Sequence, residues 1–194
     1  MRNVISLVII ISILTGCSAA GVVYTNDPYK KVRNAEYLTS KHRTLPARRF
    51  LLEVMEEINI SEEKDEKLIG YTYRALGFLL SSSVYQGYRK KKDKYITPID
   101  GDTNKGLEFY DKASEIFVKN ELYYDASNTA WMKHLAYNKL ELSNQACIQL
   151  DKSIRYHRLG LESDKRNGKN VTYSDGYSSF DDQLGRQRKK LKCK

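Results

Sequence analysis

Apolar residues recur along this chain at the three- and four-residue spacing that marks one face of a helix. Residues 44–58 put Ala47, Phe50, Leu51, Val54 and Ile58 on one side, and residues 68–80 do the same with Leu68, Thr72, Ala75, Leu76 and Leu79. Residues 106–118 repeat the pattern with Leu107, Tyr110, Ala113 and Phe117. Residues 125–140 carry Trp131, Leu135 and Tyr137 on a broad apolar side, and residues 145–161 align Ala146, Leu150, Ile154, His157 and Leu161. No stretch alternates apolar and polar residues as a half-buried strand would, so the pattern predicts an all-α protein.

Helices that pair and reuse small residues are tested first for an internal repeat. Tetratricopeptide repeats place a small residue where the two helices of a hairpin cross, a large one a turn later, and a small one where the next hairpin stacks. Ala35 with Ala47, Leu51 and Val54 fits one hairpin, and Leu76-Gly77 with Gly106, Tyr110 and Ala113 fits a second. Ala146, Leu150 and Ser153 fit the back helix of a third, fronted by residues 125–140. The expected fold is a tetratricopeptide-like helical-hairpin solenoid of about three hairpins over residues 28–166, with a C-terminal helix beyond it. Two positions depart from the pattern: His134 stands where the third hairpin wants a small residue, and residues 81–105 interrupt the second.

That insertion is where the regular pattern breaks. Ser81-Ser82-Ser83 ends a helix, Arg89-Lys90-Lys91-Lys92 with Lys94 forms a charge run, and Thr97 to Asp102 carries turn chemistry. Loops of this length inside a compact domain are usually functional or disordered. Tyr85, Tyr88, Arg89, Lys90, Lys91 and Lys92 are therefore candidate partner-contact residues; the alternative is a solvated loop. Tyrosine is abundant, 15 against one tryptophan. These rings either pack the repeats or supply exposed contact area of the kind that concentrates binding energy at interfaces. Residues 167–194 read as a polar segment in which Ser179-Phe180-Asp181-Asp182 resembles a capping box opening a short basic helix that reaches Cys193.

The amino terminus sets the compartment. Met1-Arg2-Asn3 precedes an uncharged apolar run over residues 4–14, shorter than the roughly 20 residues of a spanning helix. Leu14-Thr15-Gly16-Cys17 then resembles the lipobox of bacterial lipoproteins. The resemblance implies that residues 1–16 are a signal peptide, that Cys17 receives the lipid, and that residues 17–27 link it to the helical domain. Ser18, where an Asp would favour inner-membrane retention, implies the periplasmic face of the outer membrane. The rival reading is an ordinary secretory signal containing a cysteine. Processing removes a single charge, Arg2, from a net +9, so the mature chain is a basic periplasmic protein. That compartment disfavours a nucleic-acid partner and leaves anionic lipid head groups, an acidic cell-wall polymer or an acidic protein. It also lets Cys147 and Cys193 pair as a disulfide, the alternative being two separate thiols. No metal or other cofactor is expected, because no CxxC or HxxxH spacing exists and His42, His134 and His157 are far apart. No hydrolase, P-loop or dinucleotide motif is present either, and an enzyme is not expected.

Several short segments together are similar to a group of small lipoproteins encoded beside phospholipase effectors of type VI secretion systems. They are Asn26-Asp27-Pro28-Tyr29-Lys30-Lys31, Leu45-Pro46-Ala47, Tyr73-Arg74-Ala75-Leu76-Gly77-Phe78, Tyr110-Asp111-Lys112-Ala113, Ala146-Cys147, Leu150-Asp151-Lys152-Ser153 and Gly176-Tyr177-Ser178-Ser179-Phe180. The resemblance implies a periplasmic immunity factor that binds an incoming lipase and protects the cell from its sisters. A rival class is a tetratricopeptide-like adaptor lipoprotein of envelope assembly.

Overall fold

A computed structural model describes residues 22–91, 97, 99–169 and 180–193. The expected signal peptide, Cys17, Lys92 and residues 170–179 lie outside the described residues, as does the Ser179 of the expected capping box. The helices are α1 (Pro28–Ser40), α2 (Thr44–Ile60), α3 (Glu66–Leu80), α4 (Ser83–Lys91), α5 (Thr103–Lys119), α6 (Tyr123–Lys139), α7 (Ser143–Arg166) and α8 (Phe180–Leu191). No strand occurs among the described residues.

Aspartates start three of these helices by accepting a bond from an otherwise orphaned backbone N–H. Asp27 takes Lys30 N, Asp65 takes Leu68 N and Asp102 takes Lys105 N, at 3.2, 3.0 and 3.1 Å. Three tight turns are built alike. His42, Glu121 and Glu141 each adopt the left-handed conformation, with φ of 61°, 54° and 59°. The residue after each donates its N–H five residues back, Arg43 to Leu38 O, Leu122 to Phe117 O and Leu142 to Tyr137 O. The turns after α1 and α6 leave each following helix no choice but to fold back on the one before it.

The result is a tetratricopeptide-like solenoid of three hairpins, α1 with α2, α3 with α5 and α6 with α7, followed by α8 on α7. Successive hairpins stack through α1 and α2 against α3, and through α5 against α6. Small residues set the closest approaches. A Cβ on Gly77 would lie 2.7 Å from the Tyr110 ring, one on Gly70 2.8 Å from the Phe117 ring, and one on Gly106 3.1 Å from Leu80. These pairs run in opposite order along α3 and α5, as an antiparallel hairpin requires. In the third hairpin Ser127 and Ser153 exchange hydroxyl-to-carbonyl bonds at 2.8 and 2.9 Å. His134, the misfit of the repeat pattern, is buried there; its Nδ1–H donates to Ala146 O at 3.1 Å. A hydrogen bond thus takes the place of the expected small-residue contact.

The two cysteines are joined. Cys147 near the start of α7 and Cys193 after α8 have α-carbons 5.6 Å apart and form a disulfide. It closes a span of 46 residues and holds α8 against α7, where Leu184 is fully buried.

One expectation is corrected in detail. The helix α3 does end at Leu80, but the insertion then resumes helix as α4 rather than running as loop. Tyr85 supplies the reason, since it drops into the core beside Ile99 and gives the short helix an apolar anchor.

Two outcomes follow from this packing. Gly77→Ala should cost about 1–3 kcal/mol, because the fully buried Tyr110 has nowhere to retreat, and a lower urea midpoint would register it. Burial depresses the pKa of His134 against the opposing effect of its bond to Ala146. The unfolded chain then binds that proton first, so stability is complete above about pH 6.5 and declines as pH falls below it. His134→Gln keeps a donor without a proton to gain, and it should lose less stability than the wild type between about pH 7.5 and 5.5.

Candidate binding groove

The front helices of the three hairpins, α1, α3 and α6, share a recess of about 340 Å³. Its position follows from the stacking, since it is lined from α1 by Tyr29, Val32, Arg33 and Glu36, from α3 by Lys67, Tyr71 and Arg74, and from α6 by Asp125. On α3 the three residues fall at i, i+4 and i+7, one continuous stripe.

Arg74 organises the floor. Its Nε and Nη2 donate to the two carboxylate oxygens of Glu36 at 2.9 and 3.3 Å, and Nη1 donates to Asp125 at 3.1 Å. Burial works against the charge of Arg74, yet Glu36 and Asp125 outweigh it and raise its pKa. The guanidinium also lies over the Tyr71 ring, 5.0 Å from its centroid. Tyr71 in turn donates to Asp125 at 3.0 Å, and burial followed by that carboxylate pushes its phenol up to about 12. Tyr29 meets Tyr71 edge-on at 6.1 Å and donates to Asp65 at 2.7 Å. Both tyrosines are thus fixed donors at pH 7, with rings that wall the recess.

The two exposed residues of the lining, Arg33 and Lys67, are both cations. Glu36 and Asp125 are both engaged by Arg74, whereas Arg33 is exposed and forms no ion pair among the described residues. Lys67 is exposed with its ammonium 6.0 Å from the Tyr71 centroid. The arrangement can hold a carboxylate or another acidic group between two cations and two aromatic edges.

The residues expected to contact a partner lie elsewhere. The recess uses α3 as far as Arg74, while the insertion begins beyond its last turn, and no described residue of the insertion lines the recess. Tyr85 is 2% exposed, so it is an internal anchor rather than a surface contact. Its hydroxyl donates to Asp100, whose carboxylate also takes Arg48 Nε and Nη2 at 2.8 and 2.7 Å and Thr97 N at 2.8 Å. Burial opposes the charge on Asp100, but the bonds from Arg48, Tyr85 and Thr97 prevail and hold its carboxyl far below the usual range. This knot ties the insertion to α2. Tyr88 is half-buried, while Arg89 and Lys90 are exposed on α4; the side chain of Lys91 and all of Lys92 lie outside the described residues.

No group of His, Cys, Asp and Glu able to hold a metal ion occurs among the described residues. No family model matches the chain, and neither a curated protein nor a solved structure does.

The Arg74 cluster is a test of how charge is carried inside the solenoid. Arg74→Leu should lower stability by about 3 kcal/mol, because it leaves two partly buried carboxylates facing one another. Adding Glu36→Gln and Asp125→Asn should restore a good part of that loss. Equal urea midpoints for the wild type and Arg74→Leu would show that the cluster does not hold the hairpins together.

Proposed function

We propose that the protein is a membrane-tethered periplasmic lipoprotein that binds and neutralises a secreted phospholipase effector, as the resemblance to immunity lipoproteins implies. The observation that carries the binding half of this reading is the recess shared by α1, α3 and α6. A stacked helical array offers an extended surface to a folded partner, and all three hairpins contribute to this one. Its tyrosines supply rigid contact area, and its buried Arg74 presets their positions, which lowers the entropy cost of association. With both carboxylates of the recess engaged, Arg33 and Lys67 set the outward charge, so the complementary partner surface is acidic. A lipid on Cys17 would keep the binder at the membrane on which a phospholipase must act and raise its local concentration there. No described helix is long and apolar enough to cross a membrane, so in this reading attachment rests on the lipid.

The deciding experiment expresses the neighbouring open reading frame in the periplasm with and without this protein. Protection from toxicity supports the immunity reading. Absence of protection, together with co-purification of several envelope components, replaces it with the adaptor. Arg33→Glu combined with Lys67→Glu changes two exposed positions and should slow association with the partner at least about tenfold, measured by surface plasmon resonance. Unchanged binding in that variant removes the recess from the interface while leaving immunity itself standing.

A further inference from the structure

The back of the last hairpin carries a second surface, apart from the recess of α1, α3 and α6. The α7 helix contacts α6 as far as Asp164, which accepts from Tyr124 at 2.7 Å, and α8 packs against it as well. Between them lies a recess of about 470 Å³ with Arg155, Arg158 and Arg188 around it and Ile154 and Leu159 on its floor. Asp151 and Glu162 also border it, and Asp151 takes Arg188 at 2.8 Å. Arg155 is exposed and forms no ion pair among the described residues.

Beyond Asp181 and Asp182 at its start, α8 is basic. From Leu184 to Cys193 the chain bears Arg186, Arg188, Lys189, Lys190 and Lys192 with no acidic residue, while Leu184 points into the core. The disulfide at a 5.6 Å α-carbon separation fixes this basic helix on α7, so its cations are held in place before any ligand arrives. On α7, Ile148 falls on the same helical stripe as Lys152 and Arg155 and is 54% exposed.

We propose that this α7 and α8 face lies against anionic phospholipid and that its arginine recess receives the phosphodiester head groups. Guanidinium is the side chain best matched to phosphate, since it offers two parallel N–H donors to two oxygens. Basic residues spread over two helices suit a continuous charged plane, which neutralises all of them at once, better than a single acidic patch on a protein. Ile148 beside them supplies an apolar group that can enter the head-group boundary. The choice of a membrane also rests on reading Cys17 as the lipid anchor. Five residues from Cys17 to Val22 span at most about 18 Å, and Val22 is buried against the first hairpin, so the opposite end of the solenoid is already held near the bilayer.

The test measures sedimentation of the full chain with vesicles of phosphatidylglycerol and phosphatidylethanolamine, and with vesicles of phosphatidylcholine. The apolar amino-terminal segment enters both kinds alike, so the excess binding to the anionic vesicles reports the basic face. Arg155→Ala, Arg158→Ala and Arg188→Ala together should cut that excess about tenfold or more, and added salt should do the same in the wild type. Lys189→Ser with Lys190→Ser, at exposed positions that cannot upset the core, should reduce it severalfold. Equal binding of the wild type to both vesicle types overturns the proposal, as does an undiminished excess in both variants. Binding to soluble polyglutamate as tight as to anionic vesicles overturns it in favour of an acidic protein partner. Whether Cys17 is acylated is read separately, by incorporation of labelled palmitate, so failure of the anchor and failure of this surface give different results.

Discussion

Arg74, on the middle hairpin, is ion-paired to both of the others. It sits on α3, reaches Glu36 on α1 and Asp125 on α6, and is 8% exposed. A solenoid has no long-range core to enforce its curvature; each hairpin contacts its neighbours alone. Stacking of the first hairpin on the second, and of the second on the third, therefore needs a local device that fixes both angles together. A buried cation with two carboxylate partners is such a device, because any rotation that breaks one pair strands a charge in a low-dielectric site. The same geometry places the Tyr71 ring under the guanidinium and leaves Arg33 and Lys67 at the rim. What fixes the stack thus also shapes the recess.

The hairpins were legible in the sequence because their physics is local. Ala35, Ala47, Gly77, Gly106 and Ala146 mark places where two backbones approach too closely for a larger side chain, and each is buried at or near such a crossing. The turns were not legible in the same way. His42, Glu121 and Glu141 hold the left-handed conformation that usually draws glycine, and only the hydrogen bonds that close the turn reveal why the strain of about 1 kcal/mol is tolerated. His134 shows the opposite case. Its misfit to the repeat was visible, but its bond to Ala146 O depends on a helix that begins nine residues later.

The candidate site was the least legible part, for a reason that applies to charge in general. An arginine in a helical pattern reads as a solvated position, and nothing local distinguishes Arg74, whose partners lie 38 and 51 residues away. The insertion misled in the converse direction. Tyr85 beside a basic run reads as an exposed aromatic, yet its burial is set by Asp100 and by Arg48 of α2, which is 52 residues from Asp100. The pairing of Cys147 with Cys193, by contrast, follows from compartment and number once a secretory signal is inferred, and the 5.6 Å α-carbon separation accommodates it.

The two surfaces also constrain one another. The recess belongs to α1, α3 and α6, and the basic face to α7 and α8, so no residue serves both. In a hairpin solenoid the front helices of successive repeats share one side and the back helices the other. A molecule resting on lipid through its last back helix would therefore turn its front helices away from the bilayer. Contact at the far end would also oppose the swivelling that a single short tether permits, and the recess would face a partner arriving from the periplasm in a limited range of orientations. Orientation of this kind raises the fraction of encounters that are productive without adding a contact to the interface. The disulfide does more than stabilise: by holding α8 on α7 it keeps the basic face in fixed register with the repeats that carry the recess.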